Sequence, residues 1–453
     1  MIRAKKMVLA GWGNSPCQAA DVFRPEKIAE VRSLATNAQQ ALIPRGLGRS
    51  YGDASLNENQ NVLLETQFDR LLAFDPSTGV LECEAGVSFE DLLQFLLPRS
   101  YFLPVTPGTK FVTVGGAIAA DVHGKNHHRD GSIANFVEQF ELLIADGTIL
   151  TCSRTENTDA FWATLGGMGL TGVILSARMK MRKVTSAYLS VDYQKAPNLD
   201  AALELFARND KDYGYSVAWI DCLARHGAMG RSVLMRANHA KMEEMSETQH
   251  HNLFAPPRKK KRTVPFYLPG FAVSPMSVRL FNHFYYKQPP GWRLADYDSF
   301  FYPLDAISNW NRGYGRRGFF QYQAVFPLDT ARACLMELLE KLSSARSASF
   351  LAVLKTMGPA SGGMLSFPMP GQTLALDIPN RGTQTVDLLR QLDAIVLRHG
   401  GRVYLAKDAC MTAESFRAMY PRAGEFEKVK ASLDPQNRFS SSLSRRLGIG
   451  ARA

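Results

Sequence analysis

The sequence predicts a two-domain α+β protein, and three observations carry that reading. Its 453 residues exceed what one hydrophobic core usually organises. The first 185 positions read as many short strands with helices between them, whereas from about Ser186 longer strands alternate with amphipathic helices. Composition is that of an ordinary globular chain, 45% apolar and 21% charged.

In chain order, Gln40 to Pro44 is a short apolar strand and Gly79 to Val87 an alternating one. Ser88 then caps a helix, with Asp91 three positions on and the apolar LLQFLL face following. Glu138 to Ala145 and Val173 to Met181 are further strands, with Asp159 to Leu165 a helix between them. Beyond Ser186 the helices are LDAALELFAR, DTARACLMELLEKL and TVDLLRQLDAIVLRHGG, the last closed by Gly400 in the place of a C-cap. Lys241 to Pro275 mixes charge, Pro and Gly without periodicity and reads as a long mobile loop. The tail EFEKVKASLDPQNRF is a helix stopped at Pro435.

No run of about 18 uncharged apolar residues occurs, so no membrane-spanning helix is expected. The amino end, with only MVLA as an apolar core, does not read as a cleaved signal. Six scattered cysteines lack the paired spacing of a zinc or dithiol centre, which points to reduced, buried thiols in a cytoplasmic protein. Fifty-three basic against 42 acidic residues leave +11, favouring an anionic partner: nucleic acid, an acidic membrane surface or a phosphorylated substrate. Much of the excess sits in Arg258, Lys259, Lys260, Lys261 and Arg262, just before VPFYLPGF. A solvated loop is one account of residues 256–271, and a peripheral membrane contact through Phe266, Tyr267, Leu268 and Phe271 is the other. No nucleic-acid partner is expected, because no binding module surrounds the run.

GMGLTG at Gly167 to Gly172 matches a dinucleotide-binding pattern, but helical residues precede it and a strand follows, the reverse of what a pyrophosphate at a helix start requires. Arg45-Gly46-Leu47-Gly48-Arg49-Ser50-Tyr51-Gly52-Asp53 is the stronger candidate. Three glycines in seven positions let the backbone turn tightly and aim several N–H groups at one anion, with Arg45 and Arg49 adding charge and Ser50 a hydroxyl. Pro107-Gly108-Thr109 and the stretch from Thr113 through Gly116, Ala117 and Ala120 to Asp121 form a second region of small residues, as close approach by a flat, bulky group demands. Val122-His123-Gly124-Lys125-Asn126-His127-His128 is the densest cluster of titratable groups. A catalytic site is the favoured account of it and ordinary core or loop histidines the alternative; a metal site is not expected, since no carboxylate or cysteine falls in a complementary spacing. A basic binding protein without chemistry would leave both glycine regions and this cluster unexplained.

Taken together, RGLGRSYGDASLN, PGTKFVTVGGAIAADVHGKNHHRDGS, DAFWATLGGMGLTGVI, GFFQYQ, AVLK, YLAKD and AMYPR with DPQNRF resemble the vanillyl-alcohol-oxidase type of FAD-binding family over nearly the whole chain. The resemblance implies a PCMH-type FAD-binding domain at 1–185, an antiparallel-sheet substrate domain at 186–405 and a C-terminal segment, 406–453, returning to the first. It implies that Arg45 to Gly52 wraps the FAD pyrophosphate, and that Pro107, Gly108, Thr109, Thr113, Gly116, Ala117, Ala120, Asp121, Gly124 and Asn126 lie about the cofactor. Gly172 and Ile174 would touch the adenine side. His123 and Lys125 would stand beside the ring system, with Tyr51, Gln321, Gln323, Lys355, Thr373 and Lys407 toward the substrate and Trp219 and Arg312 completing the pocket.

Two departures from the family pattern bear on chemistry. Arg49 stands where many members carry the histidine that bonds to the flavin, so FAD is expected to be non-covalent. Ala375 stands where some members carry the cysteine trapped by nitroaromatic inhibitors. The implied reaction is oxidation of the 2′-hydroxyl of a polyprenyl-phosphoryl ribose, with an aldonolactone as the alternative substrate, a separate NAD(P)H-dependent keto-reductase as partner, and a cytoplasmic site peripheral to the inner membrane. A lysine of lowered pKa or a neutral histidine would take the hydroxyl proton, and His123, Lys407 and Lys355 are the candidates.

Overall fold

The computed structural model describes residues 2–450 except 38, 257–259, 271 and 346–348, with only the backbone described at 209 and 210. Arg258, Lys259 and Phe271 of the basic and aromatic segment therefore lie outside the described residues.

Strands β1 (Lys5–Ala10), β2 (Cys17–Phe23), β3 (Leu42–Arg45) and β4 (Asn61–Leu64) form a sheet in the order β1-β2-β4-β3, with α1 (Ile28–Asn37) crossing from β2 to β3. The β1/β2 pair is antiparallel and the other two contacts are parallel. A second sheet, antiparallel throughout, takes β5 (Leu71–Asp75), β6 (Val80–Glu84), β7 (Val137–Leu143), β8 (Ile149–Ser153) and β9 (Val173–Lys180) in the order β5-β6-β9-β7-β8. Between β6 and β7 lie α2 (Phe89–Leu96) and α3 (Val114–Ala119), and α4 (Thr158–Thr164) precedes β9. The start of α2 is fixed by its own side chains: Ser88 Oγ accepts from the Asp91 N–H at 3.2 Å, the Asp91 carboxylate accepts from the Ser88 N–H at 3.3 Å, and Leu92, Leu93 and Leu96 are buried.

The third sheet has eight strands: β10 (Tyr188–Ala196), β11 (Tyr215–Ile220), β12 (Ser232–His239), β13 (Gly291–Asp296), β14 (Phe319–Phe326), β15 (Ala352–Met357), β16 (Gly371–Pro379) and β17 (Arg402–Val403). Their order is β13-β10-β12-β11-β15-β16-β14-β17, and every contact is antiparallel. Helices α5 (Leu199–Asn209), α6 (Pro275–Lys287), α7 (Leu328–Ser344) and α8 (Thr383–Arg398) accompany it. In α7 Ala331, Leu335, Leu338 and Leu342 repeat at helical spacing and are all buried, about 1.5–3 kcal/mol for each leucine relative to leaving it in water. Gly400 follows α8 at φ +73°, as a helix-ending glycine should.

Three last helices, α9 (Ala413–Met419), α10 (Ala423–Leu433) and α11 (Ser442–Leu447), turn back onto the first sheet. Phe439 bridges Leu42 and is buried with Val31 and Leu63. The Arg446 guanidinium donates to Asp53 at 2.7 and 2.9 Å and to Asp408 at 2.8 Å.

Two expectations need correction. The 241–275 segment is not irregular throughout: it holds helical turns at Met242–Glu244 and Glu247–His250 and a short strand, Arg262–Thr263, because Met245 and Leu253 find an apolar cluster with Tyr188 and Leu294. The cysteines are all free, yet Cys17, on the outer face of β2, is exposed and Cys410, in the loop before α9, is only half-buried.

Candidate active site

A cavity of about 840 Å³ runs between the first two sheets and the eight-stranded one, at the upper end of the ~300–1,000 Å³ range of ligand clefts. Gly46, Leu47, Gly48, Arg49, Ser50 and Tyr51 line one end. None of the backbone N–H groups from Gly46 to Ser50 meets an acceptor among the described residues. Gly48 has φ +65°, and a Cβ there would press on the Arg45 guanidinium at 2.2 Å. Arg45 braces the turn, donating to Ala10 O at 2.6 Å and to the Ser55 carbonyl and hydroxyl at 3.1 Å. Arg49 lies over the Trp12 ring at 3.9 Å with its buried Nε unpartnered.

Pro107, Gly108, Thr109, Thr113, Gly116 and Ala120 line the next part. A Cβ on Gly108 would meet nothing within 4 Å, and one on Gly116 only the Thr113 hydroxyl that caps α3. These positions are bare on the cavity side without any packing need, so they fit a flat cofactor rather than a crowded core. Gly172 and Ile174 line the cavity too, and so do Met168 and Gly169 of the GMGLTG turn, which joins α4 to β9.

The eight-stranded sheet supplies the opposite wall through its period of two. Gln321 faces Asp377, Gln323 faces Ala375, Lys355 faces Thr373, Val353 faces both Ala375 and Trp219, and Met235 faces Val217 and Tyr193 across neighbouring strands. All of these side chains belong to one sheet face and line the cavity. Trp219 leans on Tyr285 at 4.7 Å, making that arm apolar and aromatic.

At the meeting of the two walls His123 sits beside the stacked rings of Phe367 and Tyr404, 5.7 and 5.6 Å from their centres. Its Nε2 lies 3.0 Å from Gln323 Nε2 and its Nδ1 2.9 Å from Lys355 Nζ. Burial, with Lys355 next, holds this imidazole well below its ordinary pKa, so it is neutral. Lys355 also donates to Gly124 O at 2.6 Å, and burial followed by the charge of Lys125 brings it down to about 7. Lys125 donates to Phe300 O and is lowered by burial to about 7. Lys407 is likewise lowered by burial to about 7 against the pull of Asp377; it lies 4.0 Å from the Tyr51 ring centre and has no hydrogen-bond acceptor among the described residues.

Five expected residues stand off the cavity wall. Gly52 packs on the Asp408 carbonyl, which a Cβ would approach to 1.8 Å, and Ala117 is buried in the core. Asp121 accepts from Ser361 at 2.7 Å and from the Ala134 N–H, so it braces the scaffold. Asn126 donates to Pro104 O and Asp130. Arg312 reaches Val264 O and Pro265 O instead of the pocket. His127 and His128 turn away to the Gly358 N–H and Tyr213 O, and no group of metal-ligating side chains forms among the described residues. Sequence reasoning missed Trp12, Glu65, Asp305, Tyr314, Asp377 and Tyr404, all on the cavity wall. Asp377, two residues beyond Ala375, was the one with a signal: period-two spacing puts it on the face of Thr373.

Comparison with known proteins fits this geometry. The FAD binding domain family matches residues 19–153, and the D-arabinono-1,4-lactone oxidase family matches 372–447. A decaprenylphosphoryl-β-D-ribose oxidase of Mycolicibacterium smegmatis is 35% identical over 449 residues, 97% of either chain. The chain belongs to the decaprenylphosphoryl-β-D-ribose oxidase family. A mitochondrial D-2-hydroxyglutarate dehydrogenase of Rattus norvegicus is 27% identical over 195 residues, 41% of this chain and 36% of its own. The xylooligosaccharide oxidase of Myceliophthora thermophila, solved with xylobiose, shares the fold at a TM-score of 0.70 and 14% identity, over 97% of this chain and 96% of that one. As a member of the decaprenylphosphoryl-β-D-ribose oxidase family, the chain is an FAD-dependent oxidoreductase acting on CH–OH groups.

Proposed function

We propose that the protein oxidises the 2′-hydroxyl of a polyprenyl-phosphoryl ribose to the 2′-keto sugar, the first half of an epimerisation to arabinose for the cell envelope. The observation that carries this reading is the 35% identity, over 97% of either chain, to a decaprenylphosphoryl-β-D-ribose oxidase, joined to a cavity whose far arm is apolar and whose waist holds three lysines. The division of labour is a cofactor domain at 1–185, a substrate domain at 186–405 and a returning segment at 406–453. FAD is held non-covalently, since Arg49 takes the place of a bonding histidine, and when bound it supplies the hydride acceptor.

The residues of this chain do the rest. Lys407 is the general base: its amine is half neutral near pH 7 and has no acceptor among the described residues, so it is open to a substrate hydroxyl. Gln323, His123 and Lys355 form a chain of hydrogen bonds that orients the sugar, and Lys125 offsets negative charge beside it. Gln321, held by Asp377 at 2.7 Å, closes the side toward Tyr51. The keto product would pass to a separate NAD(P)H-dependent reductase, with the enzyme peripheral to the cytoplasmic face of the inner membrane through its 256–271 segment. Among the described residues no helix is long and apolar enough to cross a membrane.

The lactone-oxidase match at 372–447 favours a second reading, a sugar-lactone oxidase. Anaerobic bleaching of the flavin separates the two. Polyprenyl-phosphoryl ribose should bleach it, whereas bleaching by arabinono- or gulono-lactone alone would reverse the choice.

A further inference from the structure

Helix α6 has two unlike faces. Val278 is buried, and Phe281 and Tyr285 wall the apolar arm of the cavity. On another side Met276, Leu280 and Phe284, four residues apart, are 80%, 59% and 63% exposed. The preceding segment behaves alike: Leu268, Ala272 and Val273 wall the same cavity while Phe266 is 64% exposed and Tyr267 stands in solvent beside it. Arg312 pins that segment through Val264 O and Pro265 O, and Leu268 N–H returns a bond to Arg312 O.

Charge marks the same region. Between Glu247 and Asp296 the sequence has no acidic residue and eight Lys or Arg, which is eight of the eleven-unit basic excess of the whole chain. Exposed large apolar side chains within a purely basic segment are the composition of an interfacial membrane element. A two-fold contact with a second copy would set this cationic segment against itself, which like-charge repulsion opposes.

We propose that the outer face of α6, formed by Met276, Leu280 and Phe284 with Phe266 and Tyr267 alongside, docks on the surface of an anionic lipid bilayer. The apolar side chains enter the acyl boundary and the surrounding lysines and arginines meet lipid phosphates. Because the inner face of the same helix is cavity wall, a lipid chain leaves the bilayer along α6 and reaches Trp219, Met235 and Tyr285 without crossing water. This rests on the substrate being lipid-linked.

The test uses holoprotein in flotation with phosphatidylcholine vesicles, with and without phosphatidylglycerol, comparing wild type with a Leu280→Glu/Phe284→Glu variant. Both replaced side chains are exposed, so folding and flavin content should be kept. Wild type should float with the anionic vesicles, release at high salt, and bind roughly tenfold or more tightly than the variant. Failure of wild type to float, or equal binding by the variant, overturns the docking face; so does a wild-type dimer that the variant dissolves, since the face is then a protein interface. A short-chain, water-soluble polyprenyl-phosphoryl ribose, added without vesicles, should bleach both flavins equally. If it bleaches neither, the substrate reading fails while flotation still judges the face.

Discussion

Lys407 Nζ stands 4.0 Å from the centre of the Tyr51 ring, a cation–π contact at a site whose burial otherwise drives the amine toward its neutral form. Burial opposes the ammonium, Asp377 favours it, and that balance falls at about 7; the ring face adds a further preference for the cation. Replacing Lys407 by Ala should slow flavin reduction by roughly 10²–10⁴ while the protein stays yellow. Stopped-flow reduction measures this, and an unchanged rate removes Lys407 from the mechanism.

The pH profile follows from the same balance. A base with a folded pKa of about 7 is protonated and inactive below it, so the rate of reduction should rise about tenfold per unit up to pH 7 and level off above. Tyr51→Leu removes the face that favours the cation, so the rise should move to lower pH. A shift in the opposite direction would contradict the assignment.

Gln323 lies 3.0 Å from His123 Nε2. Gln323→Glu would put a carboxylate there and raise the imidazole pKa, turning a neutral ring into a cation at pH 7. Nitrogen NMR of the histidine should show that charge, together with slower reduction at pH 7.

Gly108 faces open cavity. Gly108→Val should leave the circular dichroism and melting of the apoprotein as they are, but weaken FAD roughly tenfold or more in a fluorescence titration. Equal affinity would place the cofactor elsewhere. Acid precipitation of wild type should release all the flavin into the supernatant; yellow colour retained in the pellet would mean a covalent bond.

Ala375 lines the cavity opposite Gln323. Nitroaromatic compounds should therefore leave no covalent adduct on wild type, and Ala375→Cys should acquire one, read by intact mass.

The strands and helices were legible because their signals are local. Ser88 and Asp91 cap their helix by themselves, and period-two alternation set the strands. The glycine turns were legible for a related reason: bare backbone in such density has few other uses. Asp377, Tyr314 and Glu65 were not, since each is an ordinary residue until a distant strand folds over it. Glu65, whose carboxyl is pushed by burial up to about 8, comes to matter only because the cavity opens beside it. Arg312 misled for the converse reason: the resemblance set it at the pocket, but two nearby carbonyls claim its guanidinium.

Phe439 and Arg446 complete a sheet and a loop that begin some four hundred residues earlier, at Leu42 and Asp53. During synthesis the Leu42 strand and the Asp53 loop must wait for these partners until residues 439–446 have left the ribosome. Colour should therefore come to the nascent protein late and all at once, and a nick near residue 435 should bleach it as surely as one beside the Asp53 loop itself.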